Sequence, residues 1–189
     1  MEIERFTISG PLHFTMPRFD DARGYFTETF NADKLRKEGI AEPQWVQDNQ
    51  SYSAENYTLR GLHFQLPPLA QAKIVRVLSG RIFDVAVDLK PSSVTYGQWL
   101  GVELTAEKQN QLYIPAGFAH GFLTLTPNAV IAYKVSAPYS RAHDRSLNWA
   151  DPSVAILWPL PKGTSPKLSD KDEKAPLLPL LASELKDFA

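Results

Sequence analysis

Through the middle two thirds of the chain, short runs of β-branched and aromatic residues alternate with turn signals, which predicts strands rather than helices. In "KIVRVLSGRIFDVAVDL", Phe83, Val85, Val87 and Leu89 are apolar while Asp84 and Asp88 fall between them, the period of two of a strand. Ser79-Gly80 reads as the hairpin turn joining two strands that should pair. "YGQWLGVEL" follows a Pro91-Ser92-Ser93 loop, "QLYIPAGFAHGFLTL" is interrupted by Pro115 and Gly117, and "AVIAYKVS" begins after Pro127-Asn128. The expected fold class is therefore all-β, a sandwich or barrel. Helix signals are sparse: "NADKLRKEG" offers Asn31 as an N-cap and Gly39 as a stop, enough for one short peripheral helix.

The pattern changes after Trp149. Six of the 15 prolines lie at 152, 159, 161, 166, 176 and 179, so this tail should run as extended segments and turns, with a short helix near "ASELKDF". Ile156, Leu157 and Trp158 offer apolar anchors, and a tail laid across a barrel mouth would bring "SDKD" to a site there.

Length and composition add bounds. At 189 residues one domain, 1–189, is expected, its core at about 45–140 with the N-terminal strands and the Pro-rich tail packed on it. Twenty Lys+Arg against 21 Asp+Glu leave a net charge of -1, which argues for no nucleic-acid or membrane surface, although a few local arginines could hold a small anion. The absence of cysteine excludes disulfides and thiolate metal sites and fits a reducing compartment. "MEIERFTISG" has no basic segment leading into an apolar one, so the expected location is cytoplasmic.

Candidate chemistry begins at "RGLHFQ", residues 60–65. On a strand, Leu62 and Phe64 point one way while Gly61, His63 and Gln65 point the other, which takes the histidine off the apolar face. Tyr133 lies between Ile131 and Val135, and Lys73 opens the strand that continues through Val75 and Val77. In a small barrel, inward residues of different strands converge, so His63, Tyr133, Lys73 and arginines could share one pocket. Strict alternation would put Arg60 opposite His63, so a bulge or an irregular strand start is inferred there. A metal site of alternating histidines with a nearby carboxylate is not favoured: the alternate position is Gln65, the fourth residue after it is Leu69, and only His120 remains as a later ligand. No metal and no cofactor are expected.

Taken in order, "FDDARGYFTETF", "WVQDNQSYS", "LRGLHFQLPPLAQAKIVRVLSGRIFDVAVDL", "YGQWLGVELTAEKQNQLYIPAGFAHGFLTL", "AYKV", "DPSVAILWP" and "LSDKD" resemble the dTDP-4-dehydrorhamnose 3,5-epimerase family over nearly the whole chain. The resemblance implies a metal-free, cupin-like jelly roll with a few short peripheral helices. It also implies a homodimer acting on dTDP-4-keto-6-deoxyglucose in deoxysugar biosynthesis. By similarity His63 is the base, Tyr133 the acid on the opposite side, and Lys73 the cation beside the C4 oxygen. The carboxylate partner of His63 would come from "LSDKD", where the motif aligns Asp172 rather than Asp170. Arg23, Glu28, Gln47, Asp48, Asn49, Arg60, His120 and Lys171 stand at substrate-binding positions. Asp144 stands where many relatives carry glutamate, within an altered stretch "SAPYSRAHDRSL". Epimerases of C3 or C5 alone, ketoisomerases that move the carbonyl, and non-catalytic nucleotide-sugar-binding cupins are the alternative readings.

Overall fold

The structure, a computed structural model describing residues 1–40, 42 and 44–188, is built mainly from antiparallel strands. In chain order these are β1 (Glu2–Arg5), β2 (Leu12–Thr15), β3 (Arg18–Asp21), β4 (Gly24–Thr27), β5 (Gln47–Ser53), β6 (Leu59–Gln65) and β7 (Lys73–Ser79). They continue as β8 (Arg81–Asp88), β9 (Trp99–Thr105), β10 (Asn110–Ile114), β11 (Phe118–Thr124), β12 (Ala129–Val135) and β13 (Asp144–Ser146). Helices are short: α1 (Ala32–Lys37), α2 (Asp170–Glu173), α3 (Leu178–Leu181) and a 3₁₀ turn at Leu185–Asp187, inside the "ASELKDF" stretch. The α1 helix starts as its sequence predicts, with the Asn31 side chain accepting from the Lys34 N–H, and Gly39 follows its end at φ 96°.

Two sheets face one another as a jelly roll. One has the order β1-β2-β10-β7-β12-β5 and the other β13-β6-β11-β8-β9, with β3-β4 forming a separate hairpin. Between the sheets lie Val75, Val77, Ile82, Leu104, Leu112, Phe118, Phe122 and Ile131. Outside the five-stranded sheet, Leu62, Phe64, Val85 and Val87 are covered by Leu178, Leu181, Leu185 and Phe188 of the tail. Outside the six-stranded sheet, Phe14, Ile74 and Tyr113 are covered by Leu35 of α1, Ile40 and Trp45. Both faces of both sheets are thus buried over much of their area, and all seven residues of β11 are buried.

The topology corrects one expectation. The strands flanking Ser79-Gly80 do not pair: β7 lies between β10 and β12, and β8 between β11 and β9. Gly80, at φ 78°, makes a corner between sheets, where a Cβ would sit 2.4 Å from Thr126 Oγ1. Alternation reports which face a residue occupies and carries no information about the neighbouring strand. Asp84 and Asp88, which alternate with apolar residues as solvent-facing positions do, are each 0% exposed. Asp88 is satisfied by the hydroxyls of Ser93 and Thr95 at 2.5 and 2.7 Å, whereas Asp84 reaches the space between the sheets.

Candidate active site

The site begins with an irregularity in β6. Against β11, His63 faces His120 and Arg60 faces Phe122, so three steps along β6 match two along β11, a bulge. Gly61 sits within it at φ 113°, and a Cβ there would lie 2.7 Å from both the Gly121 Cα and the His120 carbonyl oxygen, so only glycine fits. The bulge brings Arg60 to the same side as His63. Its guanidinium then donates to Ser53 Oγ at 3.2 Å and to the Tyr52 carbonyl at 2.9 Å, both on β5 of the opposite sheet.

A cavity of about 490 Å³ opens between the sheets here. Arg60, His63 and His120 line it from the five-stranded sheet; Ser51, Lys73 and Tyr133 line it from the six-stranded sheet; Ser169 and Asp172 close it from the tail. His63 and Tyr133 therefore stand on opposing walls. A neighbouring lobe of about 230 Å³ shares His63, Lys73 and Tyr133 and adds Gln47, Asn49, Tyr139, Asp144 and Lys171.

His63 Nε2 donates to Asp172 Oδ1 at 2.5 Å, so it is Asp172 and not Asp170 that touches the imidazole. Ser169 caps α2 by accepting from the Asp172 N–H at 3.2 Å, and its hydroxyl donates to Asp172 Oδ2 at 2.9 Å. Burial pushes the Asp172 carboxyl up, but His63, Ser169 and the Gly61 N–H together outweigh it and hold it below its ordinary value. An ionised carboxylate only accepts, which fixes the hydrogen of neutral His63 on Nε2 and leaves Nδ1 as a free base.

Lys73 is 7% exposed, and its Nζ donates to the His63 carbonyl at 3.3 Å. Burial depresses this ammonium to about 8, against the opposing pull of Asp84 and Asp144. Burial raises the Tyr133 phenol, with Arg60 opposing, so it is a protonated donor at neutral pH. His120 Nε2 donates to Asp84 Oδ1 at 2.7 Å, and burial lowers its imidazole despite that carboxylate. Among the described residues, no three His, Cys, Asp or Glu side chains cluster as a metal set.

Not every residue singled out from the sequence reaches this cavity. Arg23 is exposed on the β3-β4 hairpin and paired with Asp21 at 2.5 Å. Glu28 is held by Lys34 at 2.8 Å and by Asn31 at 3.1 Å. Asp48 faces away from the cavity and pairs with Lys134 at 2.8 Å, while its neighbours Gln47 and Asn49 bond one another at 2.7 Å in the adjoining lobe. Asp144, despite its short side chain, accepts from Lys171 Nζ at 2.5 Å and from the Tyr139 hydroxyl at 3.4 Å. Ser51, Tyr139 and Ser169 were not singled out. Alternation along β5 from Gln47 and Asn49 points to Ser51, whose buried Oγ has no partner, but no local signal marks the other two.

Comparison with known proteins bears on this site. The family model described as dTDP-4-dehydrorhamnose 3,5-epimerase matches residues 5–179. The chain belongs to this family. A dTDP-4-dehydrorhamnose 3,5-epimerase of Sinorhizobium fredii is 53% identical over 161 residues, 85% of this chain and 81% of the relative. The Legionella pneumophila family member, solved in complex with dTDP-4-keto-L-rhamnose, superposes with a TM-score of 0.91 at 42% identity, covering 97% of this chain and 96% of that one. The Bacillus anthracis family member, solved with TDP and PPi bound, gives 0.89 at 45% identity, covering 93% and 98%. The cupin-like jelly roll expected from the resemblance is the fold observed.

Proposed function

We propose that this chain, as a cofactor-independent isomerase, inverts C3 and C5 of dTDP-4-keto-6-deoxy-D-glucose to give dTDP-4-keto-L-rhamnose. The observation that carries the reading is the placement of His63 and Tyr133 on opposing walls of one cavity that Lys73 also lines. Hydrogens at C3 and C5 flank the C4 ketone. His63 Nδ1 removes one of them, and the C–H electron pair becomes the carbon–carbon double bond of an enolate whose negative charge rests on the C4 oxygen. The Lys73 ammonium stabilises that oxygen as a fixed cation. Tyr133 then delivers its hydroxyl proton to the other face of the same carbon, the carbonyl re-forms, and the centre is inverted. Solvent reprotonates the phenolate and deprotonates the imidazolium before the second carbon reacts. Arg60 and Lys171 supply positive charge for the diphosphate, and Gln47 and Asn49 supply donors and acceptors in the adjoining lobe.

Arg23 and Glu28 belong to the same proposal through a second copy, because they do not line the cavity of their own chain. The β3-β4 hairpin that carries Arg23 leaves Phe19 and Phe26 63% and 68% exposed, apolar surface that a homodimer would cover. A cytoplasmic location is part of this reading, supported by the cysteine-free sequence.

The direct test is NMR identification of the product formed from dTDP-4-keto-6-deoxy-D-glucose. Inversion at both carbons with the ketone still at C4 is expected. Inversion at one carbon would make the chain a mono-epimerase, and a carbonyl moved to C3 would make it a ketoisomerase.

A further inference from the structure

Asp84 is a buried acid that the reaction above does not use. It lies on β8 across from Phe122 of β11, between Ile82 and Ala86, which pack into the core between the sheets. Its side chain is 0% exposed; Oδ1 accepts from His120 at 2.7 Å, while Oδ2 is shielded from solvent and has no hydrogen-bond partner. A buried carboxylate oxygen without a partner is costly, and an apolar residue would suit the surrounding core better. The acid therefore has a use beyond packing.

We infer that Asp84 is a positioning residue for this reaction, holding the His120 ring in one tautomer from behind and supplying a buried negative charge beside the cavity that His120 and Lys73 line. The inference rests on the epimerase reading. As a pure acceptor, the Asp84 carboxylate fixes the hydrogen of neutral His120 on Nε2 and leaves Nδ1 as an acceptor for a sugar hydroxyl. Toward Lys73 its effect is through space. The titratable and charged groups that share the cavity with Lys73 are Arg60 and His63 of β6, His120 of β11, Tyr133 of β12, Lys167 of the tail, which pairs with Glu55, and Asp172 of α2, with Tyr139, Asp144 of β13 and Lys171 of α2 in the adjoining lobe. Asp84 and Asp144 both act to keep Lys73 protonated against the effect of burial, while Lys171 acts the other way. Without Asp84, burial would leave Lys73 neutral over more of the working range, and the C4 oxygen would lose its cation.

The test is kcat and KM from about pH 6 to about pH 10 for the wild type, Asp84→Asn and Lys73→Arg, with folding checked by circular dichroism. Asparagine keeps an oxygen for His120 and removes the charge. The expected result is a basic limb in kcat that moves down by roughly one pH unit in Asp84→Asn, with KM at the acid end little changed. The same limb should be absent from Lys73→Arg in this range. A folded Asp84→Asn with the wild-type limb would overturn the inference. If that variant does not fold, histidine-labelled wild type decides by nitrogen NMR. A His120 ring that stays neutral with hydrogen on Nε2 supports the inference, and one that exchanges tautomers or titrates overturns it. A folded wild type that turns over no substrate would instead overturn the epimerase reading beneath it.

Discussion

An imidazole becomes a stereospecific base only when one nitrogen is occupied and the other is aimed. At His63 the occupied nitrogen is Nε2, bonded to an aspartate contributed from 109 residues along the chain. Asp172→Asn would keep the side chain's shape but could present an N–H to the imidazole and favour the wrong tautomer. It should therefore lower kcat by roughly 10²- to 10⁴-fold with KM nearly unchanged, as steady-state kinetics would show. A second expectation concerns pH. Lys73, held at about 8 mainly by burial, is proposed to stabilise the enolate as an ammonium, so kcat/KM should fall as pH rises through that value. A profile flat to about pH 10 would mean that the ammonium is not needed. At this scale much was legible: the ordered motifs bring in His63, Lys73, Tyr133 and Asp172. Asp84 was not, because a charged residue alternating with valines has the same sequence pattern whether it faces water or a cavity.

The elements matter for where they depart from regularity. The β6 bulge aligns Arg60 with His63, and it depends on Gly61, which combines a left-handed φ of 113° with a backbone contact that leaves no room for a Cβ. Gly61→Ala should destabilise the protein by about 2 kcal/mol or more. Its thermal midpoint should drop accordingly, and the folded fraction should lose activity because Arg60 and His63 no longer share a wall. An alanine variant of wild-type stability would contradict this account of the bulge. Strand positions and the α1 cap could be read from local pattern, whereas strand partners could not. The turn at Ser79-Gly80 has hairpin residues, yet the long-range pairing of β7 with β12 and of β8 with β11 prevails over the local signal. The tail shows the same division. Its prolines foretold an extended path, but its role in covering Val85 and Val87 is visible only once β8 is seen to be apolar on its outer face as well.

At the scale of the molecule, two sheets closing on each other place groups from different sheets on opposite sides of a bound sugar, as stereochemical inversion requires. Within one chain, Phe19 and Phe26 of the β3-β4 hairpin stay exposed, the surface proposed for the homodimer contact. Replacing Phe19 and Phe26 by serine should convert a dimer to monomers in sedimentation experiments, because it removes the apolar surface proposed to be covered. Wild type that sediments as a monomer would contradict the dimer and leave Arg23 and Glu28 without a role at the site. The central claim is removal of a proton on one wall and its return from the other. It is tested most directly by following deuterium uptake from heavy water into C3 and C5 of dTDP-4-keto-6-deoxy-D-glucose by NMR, with wild type, His63→Ala and Tyr133→Phe side by side. The account predicts uptake at both carbons by wild type, none by His63→Ala, and uptake without inversion by Tyr133→Phe. Undiminished uptake by His63→Ala would contradict it.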